Sequence, residues 1–286
     1  MFSRHRAILR LLENEGGTAS RLRLVKLAFL LSRETSAPKT GVYEFLPYRR
    51  GPFSFTLYHD IRSLESDGWL AAEEHNIKVA QAPDLETAFL DAPFLDVIDS
   101  VSNRYRYVST SALIDGVYSD YPWFTVNSET VQKRALPRPT AAQAVYTVGY
   151  EGIMVDGLLD LLLRSGLQRL IDVRCNPIAR RYRFHKSTLT SLCADVGIEY
   201  FHVPSLGIPS AWRATLDDHA SYQRLFERYV HEILPAQSAS VAQVSEMAVE
   251  KASALMCMEA DHTCCHRSRL AEAVSLLTAL PIKELR

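Results

Sequence analysis

Residues 253–269, S-A-L-M-C-M-E-A-D-H-T-C-C-H-R-S-R, constrain the fold most. A short apolar run, Ala254 to Met258, feeds a loop dense in Glu259, Asp261, His262, Cys264, Cys265, His266, Arg267 and Arg269. An apolar-periodic stretch follows at once, Leu270, Ala273, Val274 and Leu277, at helical spacing. A buried strand, a polar loop and a helix in that order put the loop at the carboxyl end of a sheet, where open α/β folds keep ligand sites. The pattern has precedents upstream. Ala144 to Val148 reads as a strand ending in Gly149-Tyr150-Glu151-Gly152, with a helix over Val155–Ser165, and Arg169 to Val173 reads as a second strand ending in D-V-R. Links this short between strand, helix and strand imply parallel pairing. A helix over Ser187–Val196, a strand over Tyr200–Val203, and helices over about 218–234 and 239–252 lead to the fourth strand at 254–258. The expected class is α/β: a mostly parallel sheet flanked by helices, spanning 144–286.

A chain of 286 residues exceeds what one such core needs, so a second domain is expected upstream. His5–Glu15 and Arg21–Glu34 read as amphipathic helices separated by Gly16-Gly17. A strand-like segment, Val42–Tyr48, meets the turn Arg49-Arg50-Gly51-Pro52, a helix follows over Ser54–Ser66, and D-G-W-L opens another strand. Helix, helix, strand, helix, strand is the order of a winged helix-turn-helix, a mainly helical module that can set a recognition helix in the major groove. Residues 1–129 are assigned to it. Arg4, Arg6, Arg10, Arg21, Arg23, Lys26 and Arg33 oppose Glu13, Glu15 and Glu34 in the first 34 residues, so this end is locally basic although the whole chain has a formal net charge of -1. Arg21, Arg23 and Lys26, on the opening turns of the second helix, are the candidate phosphate contacts. Residues 84–119 are expected to continue as helices, and Y-P-W-F at 121–124 to form an aromatic turn bracing the domain junction. Residues 130–143, with Pro137 and Pro139 and no apolar periodicity, read as a semi-rigid linker.

No apolar core of a signal peptide follows M-F-S-R-H-R, and no run of about 18 apolar residues exists to cross a bilayer, so a cytoplasmic protein without a membrane partner is expected. The five cysteines, at 175, 193, 257, 264 and 265, are odd in number and late in the chain, which suits reduced thiols.

The stretches K-L-A-F-L-L-S-R-E, Y-E-F-L-P-Y-R-R-G-P-F-S and L-E-S-D-G-W-L resemble winged-helix modules of prokaryotic antitoxin-like and defence-associated proteins, over about the first quarter of the chain. In the second half, Y-T-V-G-Y-E-G at 146–152, I-D-V-R-x-N-P at 171–177, G-I-E-Y-F-H-V-P-S-L-G-I-P-S at 197–210 and L-M-C-M-E-A-D-x-x-x-C-H-R at 255–267 resemble the domain-of-unknown-function 488 family, four motifs in order. In that resemblance D-V-R falls on Asp172 and Arg174, C-H-R on Cys265, His266 and Arg267, and E-x-D on Glu259 and Asp261. Ser205 departs from the acidic residue expected before L-G, which weakens any mechanism that needs a carboxylate there.

In a parallel sheet the ends carrying Tyr150 and Glu151, Asp172 and Arg174, and Cys265 to Arg267 share one edge, so these groups are expected to converge on a cleft. Carboxylates, guanidinium groups and histidine suit a phosphate or nucleotide, which the start of the final helix also favours. A cysteine loop with arginine before a helix also echoes the anion loops of cysteine phosphatases and rhodaneses. Either Cys265 is a low-pKa nucleophile or it is a buried, inert thiol; the loop has no glycine between Glu259 and Arg269, unlike those compact cradles. Residues 174–186 carry Arg174, Arg180, Arg181, Arg183 and Lys186 with Asn176, His185, Tyr182 and Phe184 and no acidic group, a composition that can track a nucleic-acid backbone. Asp172 and Glu259 could hold magnesium beside a phosphate. Zinc is the less favoured metal, because one loop is not expected to aim Cys257, His262, Cys264, Cys265 and His266 at one tetrahedral centre. His202 is expected to be a packed or hydrogen-bonded core histidine, and Met256 and Met258 to pack in the strand.

The expected function is a nucleic-acid-associated enzyme, a hydrolase or lyase, acting on a phosphate, nucleotide or modified base in DNA. Asp172 or Glu259 would be acid or base, Arg174 and Arg267 anion clamps, and Cys265 or His266 nucleophile or proton shuttle. The rivals are a non-catalytic DNA-binding regulator sensing a nucleotide-like ligand, and a protein-docking module carrying a degenerate enzyme.

Overall fold

The computed structural model describes residues 2–34, 42–81, 92–129, 136–177, 182–213 and 219–285. They form two compact units that divide between Pro137 and Arg138.

In the first unit, α1 (Ser3–Asn14) and α2 (Arg21–Glu34) flank a short strand, β1 (Thr18–Ser20), and a hairpin, β2 (Leu46–Tyr48) and β3 (Gly51–Phe53), precedes α3 (Phe55–Ser66). Ser54, fully buried, caps α3 by accepting from the Leu57 amide at 3.1 Å. Strands β4 (Leu70–Glu73) and β5 (Asn76–Val79) form a second hairpin, and β1 pairs antiparallel with β5, giving the order β1-β5-β4. Helices α4 (Ala92–Tyr105) and α5 (Thr110–Asp120) complete the unit. The expected strand over Val42–Tyr48 is regular only at its last three residues. The expectation that residues 84–119 continue as helices holds for α4 and α5, while residues 82–91 lie outside the described residues. The Y-P-W-F stretch forms a 3₁₀ turn whose Phe124 ring stands edge-on to Phe29 of α2 at 4.7 Å, inside the core of this unit.

The second unit is a five-stranded, wholly parallel sheet in the order β10-β6-β9-β7-β8. Its elements run β6 (Val145–Gly149), α6 (Val155–Arg164), β7 (Arg169–Asp172), α7 (Lys186–Asp195), β8 (Glu199–His202) and α8 (His219–Arg228). A π-helical turn, Tyr229–Ile233, and the short α9 (Leu234–Ala236) lead to α10 (Ser238–Glu250), β9 (Ser253–Cys257), α11 (His266–Thr278) and β10 (Ile282–Leu285). The inner strands β7 and β9 are buried at every position, as a parallel sheet covered on both faces requires. Helices α10 and α11 pack Val244, Ala248, Leu270 and Val274 against Val145, Ile171 and Leu255. The edge strand β10 was not expected. Its exposed Ile282 and Lys283 lack both the apolar run and the alternation that announce a strand. Residues 138–143, expected as linker, are bonded into this unit, Arg138 Nη1 donating to the Val196 carbonyl at 3.0 Å and the Ala141 amide to Gly166 at 3.2 Å.

Candidate functional site at the carboxyl edge of the sheet

The registers align Gly149 with Cys257 and Asp172 with both Met256 and His202, so the ends of β6, β7, β8 and β9 lie level along one edge. The loop after β9 crosses the end of β6 at the closest approach a glycine permits. A Cβ on Gly149 would stand 1.9 Å from the Glu259 carbonyl oxygen. Gly207 does the same for the turn after β8, where a Cβ would meet the Cys175 amide at 2.0 Å. Two amide bonds tie the loop down: Glu151 N–H donates to the Met258 carbonyl at 2.8 Å, and Ala260 N–H to the Glu151 carboxylate at 3.0 Å.

At the end of β7, Asp172 is fully buried. It accepts from Arg174 Nε at 2.8 Å, from Arg174 Nη2 at 2.5 Å and from the Tyr200 hydroxyl at 2.6 Å. Arg174 also donates to the Tyr150 hydroxyl and the Phe184 carbonyl, both at 2.9 Å, and the Tyr150 ring stacks on Phe184 at 4.1 Å. Burial opposes the charge on Arg174, but the bonds and the charge of Asp172 outweigh it and raise its pKa; burial and the same carboxylate push the Tyr200 hydroxyl up. This corrects the expectation for Arg174 and Tyr150: both are buried with their polar atoms engaged inside the protein, so they brace the strand end rather than clamp an anion. Asp172, without a solvent-facing oxygen, is a positioning group. His202 is hydrogen-bonded as expected, its Nε2 lying 2.9 Å from the Arg174 carbonyl.

The end of β9 is different. Cys257, Cys265 and His266 are buried, and their ligand atoms all lie within 4.8 Å of one another. Cys257 Sγ is 3.8 Å from His266 Nδ1 and donates to the Glu259 carboxylate at 3.1 Å. Burial raises the pKa of Glu259, but donation from Cys265 and Cys257 overrides it, so the carboxylate sits below its ordinary range. Burial holds the Cys265 thiol well above its usual value. A protonated, fully enclosed thiol is a poor attacking nucleophile, which weighs against the phosphatase-like reading. Arg267 is also fully buried, donating Nη1 to the Glu259 carbonyl and Nη2 to the Ala260 carbonyl at 3.0 Å. It holds the loop in place and is not exposed to a ligand, a second correction to the anion-clamp expectation.

Of the remaining candidates, Glu151 and Asn176 are exposed at this edge and Arg183 is half-buried, whereas Arg180 and Arg181 lie outside the described residues. Asp261 caps a 3₁₀ turn, and His262 pairs with Glu284 of β10 at 3.0 Å. Ser205 bonds Ser240 at 2.9 Å. Met258 lies beyond β9 and is exposed rather than packed. In the first unit, Arg21 pairs with Glu65 at 2.6 Å, and Arg23 is buried against Glu15 and the carbonyls of Val108 and Tyr105. Lys26 is wholly buried, with Nζ 2.9 Å from the Arg50 carbonyl, and burial pushes it down to about 7. Arg23 and Lys26 therefore do not face solvent as phosphate contacts. Lys26 instead lines a cleft of about 620 Å³ bordered by Arg21, Arg49, Arg50, Tyr48 and Tyr58. Sequence reasoning missed Tyr200 and the part Cys257 plays. The C-x-E spacing of Cys257 and Glu259 was the available signal, since alternate residues leaving a strand share a side.

The second unit is thus a parallel α/β unit with a buried ion pair closing one strand end and a thiol–imidazole–carboxylate cluster closing the next. Within that unit, residues 154–274 match the family described as Domain of unknown function DUF488. No curated protein and no solved structure matches the chain. Among the described residues no helix is long and apolar enough to cross a membrane.

Proposed function

We propose that the chain is a nucleic-acid-associated enzyme whose α/β unit acts on a phosphate, nucleotide or modified base in DNA. One observation carries the reading: Glu259, held ionised, stands beside the Cys257–Cys265–His266 cluster at the carboxyl edge of a parallel sheet, where α/β enzymes do their chemistry. Glu259 is the proton acceptor, and the Asp172–Arg174 pair and Arg267 fix the walls around it. The first unit supports delivery to DNA. Its order of two helices, a third helix and the β4–β5 hairpin suits a winged module, and α3 exposes His59 and Arg62 to solvent. With Arg23 and Lys26 turned inward, Arg62, Arg49 and Arg50 are the better phosphate contacts.

The saturated, buried Asp172–Arg174 pair favours a second reading, a non-catalytic regulator, because those groups have nothing left to offer a transition state. The test incubates reduced full-length protein with end-labelled single- and double-stranded DNA carrying normal and modified bases, with and without added magnesium. Samples run on native gels, and on denaturing gels before and after alkali. Strand breaks that disappear in Glu259→Gln are the expected result. A native shift with intact strands selects the regulator, and neither shift nor product refutes both.

A further inference from the structure

We propose that Cys257, Cys265 and His266 form a zinc site. The ligand atoms come from two elements, the last residue of β9 and the start of α11, with Cys265 in the N-cap position and His266 as the first helical residue. A tetrahedral centre with bonds of about 2.3 Å to sulfur and about 2.0 Å to nitrogen sets its ligand atoms roughly 3.5–4 Å apart. The 3.8 Å between Cys257 Sγ and His266 Nδ1, and the mutual approach of all three atoms within 4.8 Å, are that arrangement with little movement required.

The histidine is oriented as a ligand. Its Nε2 lies 3.2 Å from the Val173 carbonyl. A carbonyl only accepts, so Nε2 carries the hydrogen and Nδ1 turns its lone pair toward the two sulfurs. A ligating imidazole whose other nitrogen donates to a backbone carbonyl is the usual outer-shell arrangement of protein zinc. Tyr229, fully buried, packs its ring edge-on against His266 at 5.3 Å and restricts its rotation.

Two thiolates and an imidazole select a soft or borderline cation and discriminate against magnesium, which takes oxygen ligands. With three protein ligands, the fourth position borders Glu259, which contacts both thiols. That is the pattern of a centre keeping one position for water or substrate rather than a closed four-cysteine clamp. Cys264 and His262, adjacent in sequence, take no part: Cys264 lies against Thr263, and His262 pairs with Glu284. The site does not depend on what the α/β unit acts on.

The test is metal content and spectroscopy on the full chain. Protein expressed with supplementary zinc and purified under reducing conditions without chelator is expected to hold about one zinc per chain by plasma mass spectrometry. Cys257→Ser and Cys265→Ser are expected to lose it, and Cys264→Ser to retain it. Reconstitution of the wild type with cobalt reads the geometry without any substitution. Intense visible bands of tetrahedral cobalt and a near-ultraviolet thiolate charge-transfer band are expected. Trace metal only in the reduced wild type with no such bands, a Cys257–Cys265 disulfide in its place, or zinc retained in the Cys257→Ser, Cys265→Ser double variant would each overturn the proposal.

Discussion

Lys26 offers the sharpest quantitative test of the first unit. The residue is wholly enclosed by α2, the β2–β3 hairpin and α5, and its ammonium ion is pushed down to about 7 from an ordinary 10.5. The folded state therefore releases the proton more readily than the unfolded chain. Below about pH 7 both states hold it, and the folded state bears a penalty of at most about 5 kcal/mol, at ~1.4 kcal/mol per pH unit of displacement. Stability then climbs as pH rises from about 7 toward 10.5, by about 2–3 kcal/mol between pH 6 and pH 9. Lys26→Met removes this slope. It also strands the carbonyls of Arg50 and Pro52, at a cost of about 1–3 kcal/mol. The variant should be more stable than the wild type by about 2–4 kcal/mol at pH 6 and about equal to it at pH 9. Urea unfolding followed by tryptophan fluorescence in a Trp212→Phe background reads it directly, because the other two of the three tryptophans, Trp69 and Trp123, pack on the core of this unit. A stability difference that does not change between the two pH values would refute the argument, since a lysine that keeps its ordinary pKa produces no slope in that window.

Other outcomes follow from single contacts. Asp172→Asn leaves the buried Arg174 charge unbalanced and should cost about 3–5 kcal/mol in chemical unfolding of the α/β unit. Tyr200→Phe, which removes only the 2.6 Å bond to Asp172, should cost about 1–3 kcal/mol, and a larger effect for Tyr200→Phe than for Asp172→Asn would contradict the placement of the charge. Gly149→Ala must displace the Glu259 carbonyl and should cost at least about 1–3 kcal/mol by thermal unfolding while loosening the loop that carries Glu259; an unchanged melting temperature would show that the loop does not cross β6 so closely. Ala279→Gly, at a left-handed φ of 56° ending α11, should stabilise the unit slightly, by about 1 kcal/mol, in the same assay.

Much of the α/β unit was legible because its strands are buried on both faces and advertise themselves as apolar runs: β6, β7 and β9 fall within a residue or two of their expected bounds. β10 was not legible, since an edge strand can be as polar as I-K-E-L and still pair through its backbone. The chemistry at the strand ends was legible as residue types but not as roles. Sequence marks Arg174 and Arg267 as cations, yet only the packing shows that Arg174 is bonded to Asp172 and that Arg267 is enclosed with its two terminal nitrogens on loop carbonyls. The same holds for Arg23 and Lys26, which occupy helical positions that turn inward among the leucines of α2. The convergence of Cys257 with Cys265 and His266 was hidden because the ligands come from a strand end and a helix start, joined by a loop whose path the Gly149 crossing dictates.

The position of β6 in the sheet bears on how the unit is made. β6 is the first strand of the unit to emerge during synthesis, but both of its partners come more than a hundred residues later, at 253–257 and 282–285. Strand β7 likewise waits for β9 along one side. Until residue 257 emerges, two strands that the folded unit buries carry open edges, a state prone to pairing with other chains. Fragments that stop after α10 should therefore aggregate rather than fold, and the thiol–imidazole cluster assembles only with the closing strand pairings, so its formation is a direct reporter of completed folding.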